Sequence, residues 1–179
     1  VYLFLTQLNK HYETDFSDMK TTLKPKPSWL KVRAPGGQNF LEIKAALAKN
    51  NLHTVCEEAK CPNLGECWSG GTATFMLLGD VCTRGCKFCA VTTGNPRMQL
   101  DPHEPEKIAN VVSATDLGYI VLTSVDRDDL PDQGAGHFAD TVKKVKTAKP
   151  KILVETLTPD WRGRIDCIQT MVDSGVDVL

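Results

Sequence analysis

From residue 72 onward the chain alternates between two hydrophobic periods. Continuous apolar or β-branched runs, TATFMLLG (72–79), YIVLTSV (119–125) and KILVETL (151–157), predict strands. Between them apolar residues recur at three- and four-residue spacing. PHEPEKIANVVSATDLG (102–118), GHFADTVKKVKTAKP (136–150) and PDWRGRIDCIQTMVDSG (159–175) therefore read as helices. Pro105 falls in the first turn of the first helix and Gly118 at its end, the usual asymmetry of helix termini. VDVL (176–179) reads as the start of a further strand. Alternating strand and helix predicts parallel βα units, and uninterrupted apolar strands predict cover on both sheet faces. The expected fold is α/β: a partial TIM-like (β/α) barrel, truncated, with a cysteine-rich N-terminal extension.

Upstream, NFLEIKAALAKNN (39–51) places Phe40, Ile43 and Leu47 on one helical face. Asn39 can cap its start and Asn50-Asn51 can end it. Residues 56–70, with three cysteines, Pro62, Gly65 and Gly70, look too irregular for a helix. Residues 19–37 are rich in Lys and Pro and read as an extended arm, with Trp29, Leu30 and Val32 as anchors onto the body. The opening stretch lacks the basic region and small-residue cleavage site of a signal peptide. Met19 is expected to be the true start, with residues 1–18 a non-native or disordered leader. The apparent strand start at the other end suggests an N-terminal piece of a longer protein. The expected domains are the leader 1–18, the extension 19–71 and the partial barrel 72–179.

Composition narrows the function. The 179 residues are 41% hydrophobic and 24% charged, as in ordinary globular chains. A net charge of -1 supplies no broad basic face for nucleic acid or lipid. No apolar run approaches the ~20 residues of a membrane helix. A G-x-G-x-x-G nucleotide loop is absent. Cysteine is the exception: there are seven, an odd number, and all but Cys167 lie between Cys56 and Cys89. Such clustering favours metal or cluster ligation in a reducing compartment over disulfides.

The cysteines fall into two trios, Cys56, Cys61 and Cys67 (C-x4-C-x5-C), and Cys82, Cys86 and Cys89 (C-x3-C-x2-C). Structural zinc usually takes two pairs of ligands, and no histidine stands at ligand spacing from either trio. A [4Fe–4S] cube takes one thiolate per iron, so a trio leaves one iron open. Zinc or plain core cysteine is the alternative for Cys82, Cys86 and Cys89, and a knuckle-like zinc site completed elsewhere for Cys56, Cys61 and Cys67. Cys167 shares a helical face with Met171 and reads as a buried apolar residue. His53, His103 and His137 read as surface or capping residues. Other candidates follow the strands, where βα folds keep their chemistry. These are Ser124, Asp126 and Asp129 after the second strand, and Glu155 on the third. The plain alternative for the DRDDL run is a solvated charge cluster. Glu155, among apolar neighbours, needs a partner, a cofactor group or a Lys or Arg. Arg84 either steadies an anionic cluster or shapes its loop.

The C-x3-C-x2-C loop just past the first strand, with Phe88 before its last cysteine, resembles the radical S-adenosylmethionine superfamily. VCEEAKCPNLGECW, GTATFMLLGDVCTRGCKFCAV, LTSVDRDDLPDQGAGHF, VETLTPDW and PSWLKVRAP are similar to segments of the lipoyl synthase family, from about Lys24 to the last residue. The resemblance implies a barrel of the radical S-adenosylmethionine type, and a cluster on Cys82, Cys86 and Cys89 whose open iron chelates S-adenosylmethionine. Reductive cleavage then yields a 5′-deoxyadenosyl radical. It implies cofactor contacts at Phe88, Ser124, Asp126 and Glu155. It also implies a second, auxiliary [4Fe–4S] cluster on Cys56, Cys61 and Cys67, sacrificed as the source of two sulfur atoms. The family's fourth ligand to that cluster is a serine in an Arg-Ser-Ser-Tyr stretch. That stretch is absent from this sequence, so the chain alone is expected to be inactive. The implied substrate is an octanoyl chain on a lysine of a lipoyl-carrier domain or glycine-cleavage H-type protein, modified at C6 and C8. A ferredoxin or flavodoxin is the implied electron donor, and the cytoplasm, or an organelle matrix in a eukaryote, the implied compartment. Neither nucleic acid nor membrane is an expected partner. The rivals are another radical enzyme whose auxiliary cluster only carries electrons, and a non-catalytic zinc module.

Overall fold

The computed structural model describes Pro27, Leu30 and residues 35–179. Helix α1 (Gln38–Asn50) buries the predicted stripe of Phe40, Ile43 and Leu47. Asn51 closes it in the left-handed conformation at φ 51°, as the Asn50-Asn51 signal predicts. Its start differs from expectation. Gly37 is the cap, and Asn39 lies inside the helix, where its amide donates to the Trp68 carbonyl at 2.8 Å. The asparagine ties α1 to a neighbouring segment instead of closing its own first turn. Phe40 and Trp68 meet there with ring centroids 5.2 Å apart, a tilted contact that favours aromatic pairs.

Strand β1 (His53–Thr54) comes next, followed by helices α2 (Val55–Glu58) and α3 (Leu64–Ser69). Both helices lie in the stretch read as irregular. They span too few turns to show a helical period, and they are held from outside by burial of Cys56 and Trp68. Thr54 caps α2 by accepting the Glu57 N–H at 3.3 Å.

The βα alternation follows. In order come β2 (Thr72–Leu77), the short strands β3 (Val81–Cys82) and β4 (Thr92–Thr93), α4 (Glu104–Ala114), β5 (Tyr119–Ser124), α5 (Ala135–Ala148), β6 (Leu153–Leu157), a 3-10 turn (Trp161–Gly163) and α6 (Ile165–Val172). Pro105 stands in the first turn of α4 as predicted, but α4 ends at Thr115; Gly118 instead leads into β5. The last predicted helix is divided into the 3-10 turn and α6 because Arg162 is left-handed, at φ 51°. The order in the main sheet is β1-β2-β5-β6, with β2, β5 and β6 parallel and β1 antiparallel on the β2 edge. Thr74, Val121 and Glu155 share one register line. Val178 adds a single parallel bridge to Glu155 where the further strand was expected. The described residues form a partial sheet, not a closed barrel.

The strands alternate in burial more than their composition suggests. Phe75, Leu77, Ile120, Leu122 and Val154 are sealed, each contributing about 1.5–3 kcal/mol. On the other face Thr74, Val121, Thr123 and Glu155 are only half-buried, and Leu153 and Leu157 are exposed. Expected cover on both faces is therefore not seen: apolar content does not reveal how much of a neighbouring layer is present. Leu30 is exposed. Trp29, Val32, the leader and most of the Lys/Pro-rich arm lie outside the described residues.

Candidate functional site

Past β2 the backbone turns through two left-handed residues, Leu78 at φ 70° and Gly79 at φ 92°. It then forms β3, which delivers Cys82. Cys82 is buried, whereas Cys86 and Cys89 are exposed on the loop beyond. The Cys82 Sγ accepts N–H groups from Arg84 at 3.4 Å and Asp126 at 3.3 Å. Hydrogen bonds to sulfur of this kind hold a thiolate ligand in orientation and tune what it binds. The same loop is tied to the end of β5 by Thr83, whose N–H and hydroxyl both donate to the Asp126 carbonyl at 3.0 Å.

Charge fixes the loop further. The Arg84 guanidinium makes two hydrogen bonds to Asp128, at 2.8 and 2.9 Å, and reaches Asp160 at 2.8 Å. Arg162 also bears on Asp128, at 3.2 Å. Loops following β2, β5 and β6 therefore meet at one guanidinium. The Arg84 hydrogen bond holds the Asp128 carboxyl down to about 2, against the opposing effect of burial. Of the two roles open to Arg84, loop shaping is the one its contacts show. DRDDL is not a solvated cluster: Arg127 is 1% exposed and grips Asp129 through two hydrogen bonds, at 2.8 and 2.9 Å.

The second trio gathers around α2 and α3. Cys56 is buried and Cys61 and Cys67 are half-buried. The Cys61 N–H donates to the Cys56 carbonyl at 3.0 Å. Burial raises the Cys67 thiol, and neighbouring Cys56 and Cys61 raise it further. Thiols gathered this closely could share a cation that stabilises their thiolates. Among the described residues no three His, Cys, Asp or Glu side chains converge as a single metal ion requires. A cluster distributes its ligands over several irons and does not need that convergence. A cleft of about 440 Å³ runs between the two cysteine segments. Val55, Glu58 and Ala59, which bracket Cys56, line it together with Phe88, Cys89 and Ala90.

The remaining candidates divide. Phe88 is 95% exposed on that cleft and is not a core aromatic. The Ser124 hydroxyl is buried at the end of β5 and has no hydrogen-bond partner among the described residues. Asp126 faces Cys82, with Oδ2 at 3.7 Å from Sγ. Among the described residues Glu155 finds neither Lys nor Arg; it accepts from the Tyr119 hydroxyl at 2.5 Å, which raises the Tyr119 pKa. Cys167 and Met171 are buried as expected. His137 is not a surface residue: its ring lies 2.7 Å from Glu104, and both side chains are largely buried. Glu104, Arg127, Asp128 and Tyr119 carry structure that their sequence positions did not signal. Glu104 in particular looks like any acidic residue in a first helical turn.

A parallel sheet with a three-cysteine loop beyond its first parallel strand defines a class. The chain belongs to the radical S-adenosylmethionine superfamily, whose family model matches residues 76–179. The model of the N-terminal domain of lipoyl synthase of that family matches residues 6–61. It is 58% identical over 173 residues to "Lipoyl synthase, mitochondrial" of Picea sitchensis, covering 94% of this chain and 45% of that protein. It is 60% identical over 152 residues to "Lipoyl synthase" of Deinococcus radiodurans, covering 85% and 46%. With the Populus trichocarpa "Lipoyl synthase, mitochondrial" the identity is 52% over 178 residues, covering 97% and 46%. The chain spans about half the length of these curated relatives. Superfamily membership brings S-adenosylmethionine and a [4Fe–4S] cluster. Among the described residues no helix is long and apolar enough to cross a membrane.

Proposed function

We propose that the protein inserts two sulfur atoms, at C6 and C8, into a protein-bound octanoyl-lysine to make the lipoyl group. Cys82, Cys86 and Cys89 would hold the cluster that meets S-adenosylmethionine, and Cys56, Cys61 and Cys67 an auxiliary [4Fe–4S] cluster. When bound, these groups supply one-electron cleavage of a sulfonium and a store of sulfide. The donor set suits them: two all-thiolate trios are soft ligands without histidine. The observation that carries the reading is the cleft of about 440 Å³ lined by residues of both cysteine segments, Val55, Glu58 and Ala59 from one and Phe88, Cys89 and Ala90 from the other. A carbon radical must meet sulfur before it meets anything else, so a shared cleft is what this chemistry requires.

The protein's own groups then have defined work. Cys82 is oriented by two backbone N–H donors, and Arg84 holds its loop against Asp128. Phe88 offers an exposed aromatic face to the cleft. Ser124 and Asp126, at and just past the end of β5, would supply polar contacts for S-adenosylmethionine; Glu155 stands in the middle of β6, bonded to Tyr119 at the start of β5, and does not share that end. The macromolecular substrate is an octanoylated lipoyl-carrier domain or H-type protein, and a ferredoxin or flavodoxin supplies electrons. The mitochondrial names of the plant relatives favour an organelle matrix over the cytoplasm in a eukaryote; the bacterial relative fits a cytoplasmic enzyme.

The test is turnover by full-length protein reconstituted anaerobically with iron and sulfide. With an octanoyl-lysine peptide, S-adenosylmethionine and a reductant, the peptide should gain two sulfurs while one cluster loses sulfide. Product formed with the auxiliary cluster intact would move the reading to the electron-carrying rival. Tight zinc without iron would leave only the structural module.

A further inference from the structure

We infer that Glu104, His137 and Arg127 are positioning residues that set the cysteine loop by clamping the backbone of Leu78; this rests on the reading that Cys82, Cys86 and Cys89 bind a cluster. Leu78 is a buried non-glycine residue at φ 70°. L-residues with a branched side chain adopt that conformation only when their surroundings impose it, and such positions gather at functional sites. Here the surroundings act on both backbone polar groups. The Leu78 N–H donates to Glu104 Oε2 at 2.9 Å, and its carbonyl accepts from Arg127 Nη1 at 3.0 Å.

Each clamp is itself anchored. Glu104 Oε2 lies 2.7 Å from His137 Nε2, which joins α4 to α5. Arg127 is held by Asp129, whose other contact is the Met98 N–H at 2.9 Å. The Leu78 side chain is confined as well. A Cβ placed on Gly134 would stand 2.5 Å from Leu78 Cδ1, so the start of α5 approaches closely enough that glycine alone fits. The left-handed pair Leu78–Gly79 turns the chain out of β2 toward β3. If Leu78 relaxed to an ordinary conformation, β3 would leave its present line. Cys82 Sγ would then lose the N–H donor that Asp126 supplies from the loop after β5. Neither Glu104 nor His137 approaches a cysteine; they act through Leu78.

Three versions of the full-length protein test this: wild type, Glu104→Gln, which keeps an acceptor, and Glu104→Leu, which does not. The first readout needs no cluster. Hydrogen exchange at the Leu78 amide should accelerate at least tenfold in Glu104→Leu and change little in Glu104→Gln. The second is the fraction of the reduced-cluster electron paramagnetic signal that shifts on adding S-adenosylmethionine. It should fall several-fold in Glu104→Leu, with the auxiliary signal retained, and recover in Glu104→Gln. Should Glu104→Leu fail to fold, His137→Phe removes the anchor alone and should move both readouts the same way by less. Unchanged exchange and an unchanged responsive signal in a folded variant overturn the inference while sparing the cluster reading. So does a parallel loss of both clusters with thermal stability. A wild-type protein that binds no cluster at all removes the reading and the inference together.

Discussion

Asp128 holds Arg84 by two parallel hydrogen bonds, at 2.8 and 2.9 Å, across 44 residues of sequence. The pair fastens the three-cysteine loop to the loop after β5. Asp160 and Arg162 extend the fastening to the loop after β6. A loop with two of its three cysteines exposed is thereby held in place by charge.

Replacing Arg84 by Lys tests the geometry of that contact, since lysine keeps the charge and loses the planar fork. Arg84 is partly solvated, which limits the effect. A loss of about 1 kcal/mol is expected, read from the midpoint of urea unfolding at constant slope. Wild-type stability in Arg84→Lys would show that the bidentate form contributes nothing.

The same pair makes a pH prediction. Asp128 has a folded pKa of about 2, below its ordinary 3.8. The unfolded chain therefore binds its proton first as pH falls, and the contribution of the pair is complete above about pH 5. It fades between about pH 4 and 2. Asp128→Asn should be less stable than wild type at pH 7, and the two unfolding curves should converge toward pH 2. Cluster loss in acid is common to both proteins and cancels in the comparison. A constant gap across that range would contradict the assignment.

Phe88 separates stability from function. Being 95% exposed, it buries almost nothing, so Phe88→Ala should change unfolding free energy by less than about 0.5 kcal/mol. Cleavage of S-adenosylmethionine should nevertheless slow, because the aromatic face on the cleft is gone. Calorimetric melting and 5′-deoxyadenosine release measure the two effects; an unaltered cleavage rate would remove Phe88 from the site.

The two cysteine trios should fail differently. Cys82→Ala is expected to abolish both 5′-deoxyadenosine formation and sulfur insertion. Cys61→Ala, in the other trio, should abolish insertion and leave reductive cleavage within a few-fold of wild type. Chromatography of the nucleoside and mass spectrometry of the peptide distinguish them. Loss of cleavage in Cys61→Ala, with the Cys82 cluster still loaded, would undo the division of labour.

Much of this was legible along the chain. Strand and helix alternate where the apolar period changes, and Asn51 ends α1 in the conformation its side chain tolerates. The spacing of Cys82, Cys86 and Cys89 just past a strand pointed to cluster or metal ligation, because ligands close in sequence are close in space, and the similar segments around it pointed to the class. The short helices α2 and α3 were not legible, since they contain less than two full turns each and owe their form to what they pack against.

Periodicity, caps and local ligand spacing depend on neighbours within a turn or two, so the sequence alone determined the βα order and the two cysteine trios, while the superfamily was legible through the resemblance of whole segments. Which charge meets which was decided only by the tertiary structure. Nothing in DRDDL says that Arg127 is buried against the Leu78 carbonyl, or that Asp128 belongs to Arg84. Nothing in the first turn of α4 says that Glu104 closes on Leu78 and His137. Those pairings need helices and strands already packed, because a buried charge accepts whatever partner the fold brings within about 3 Å and cannot remain without one.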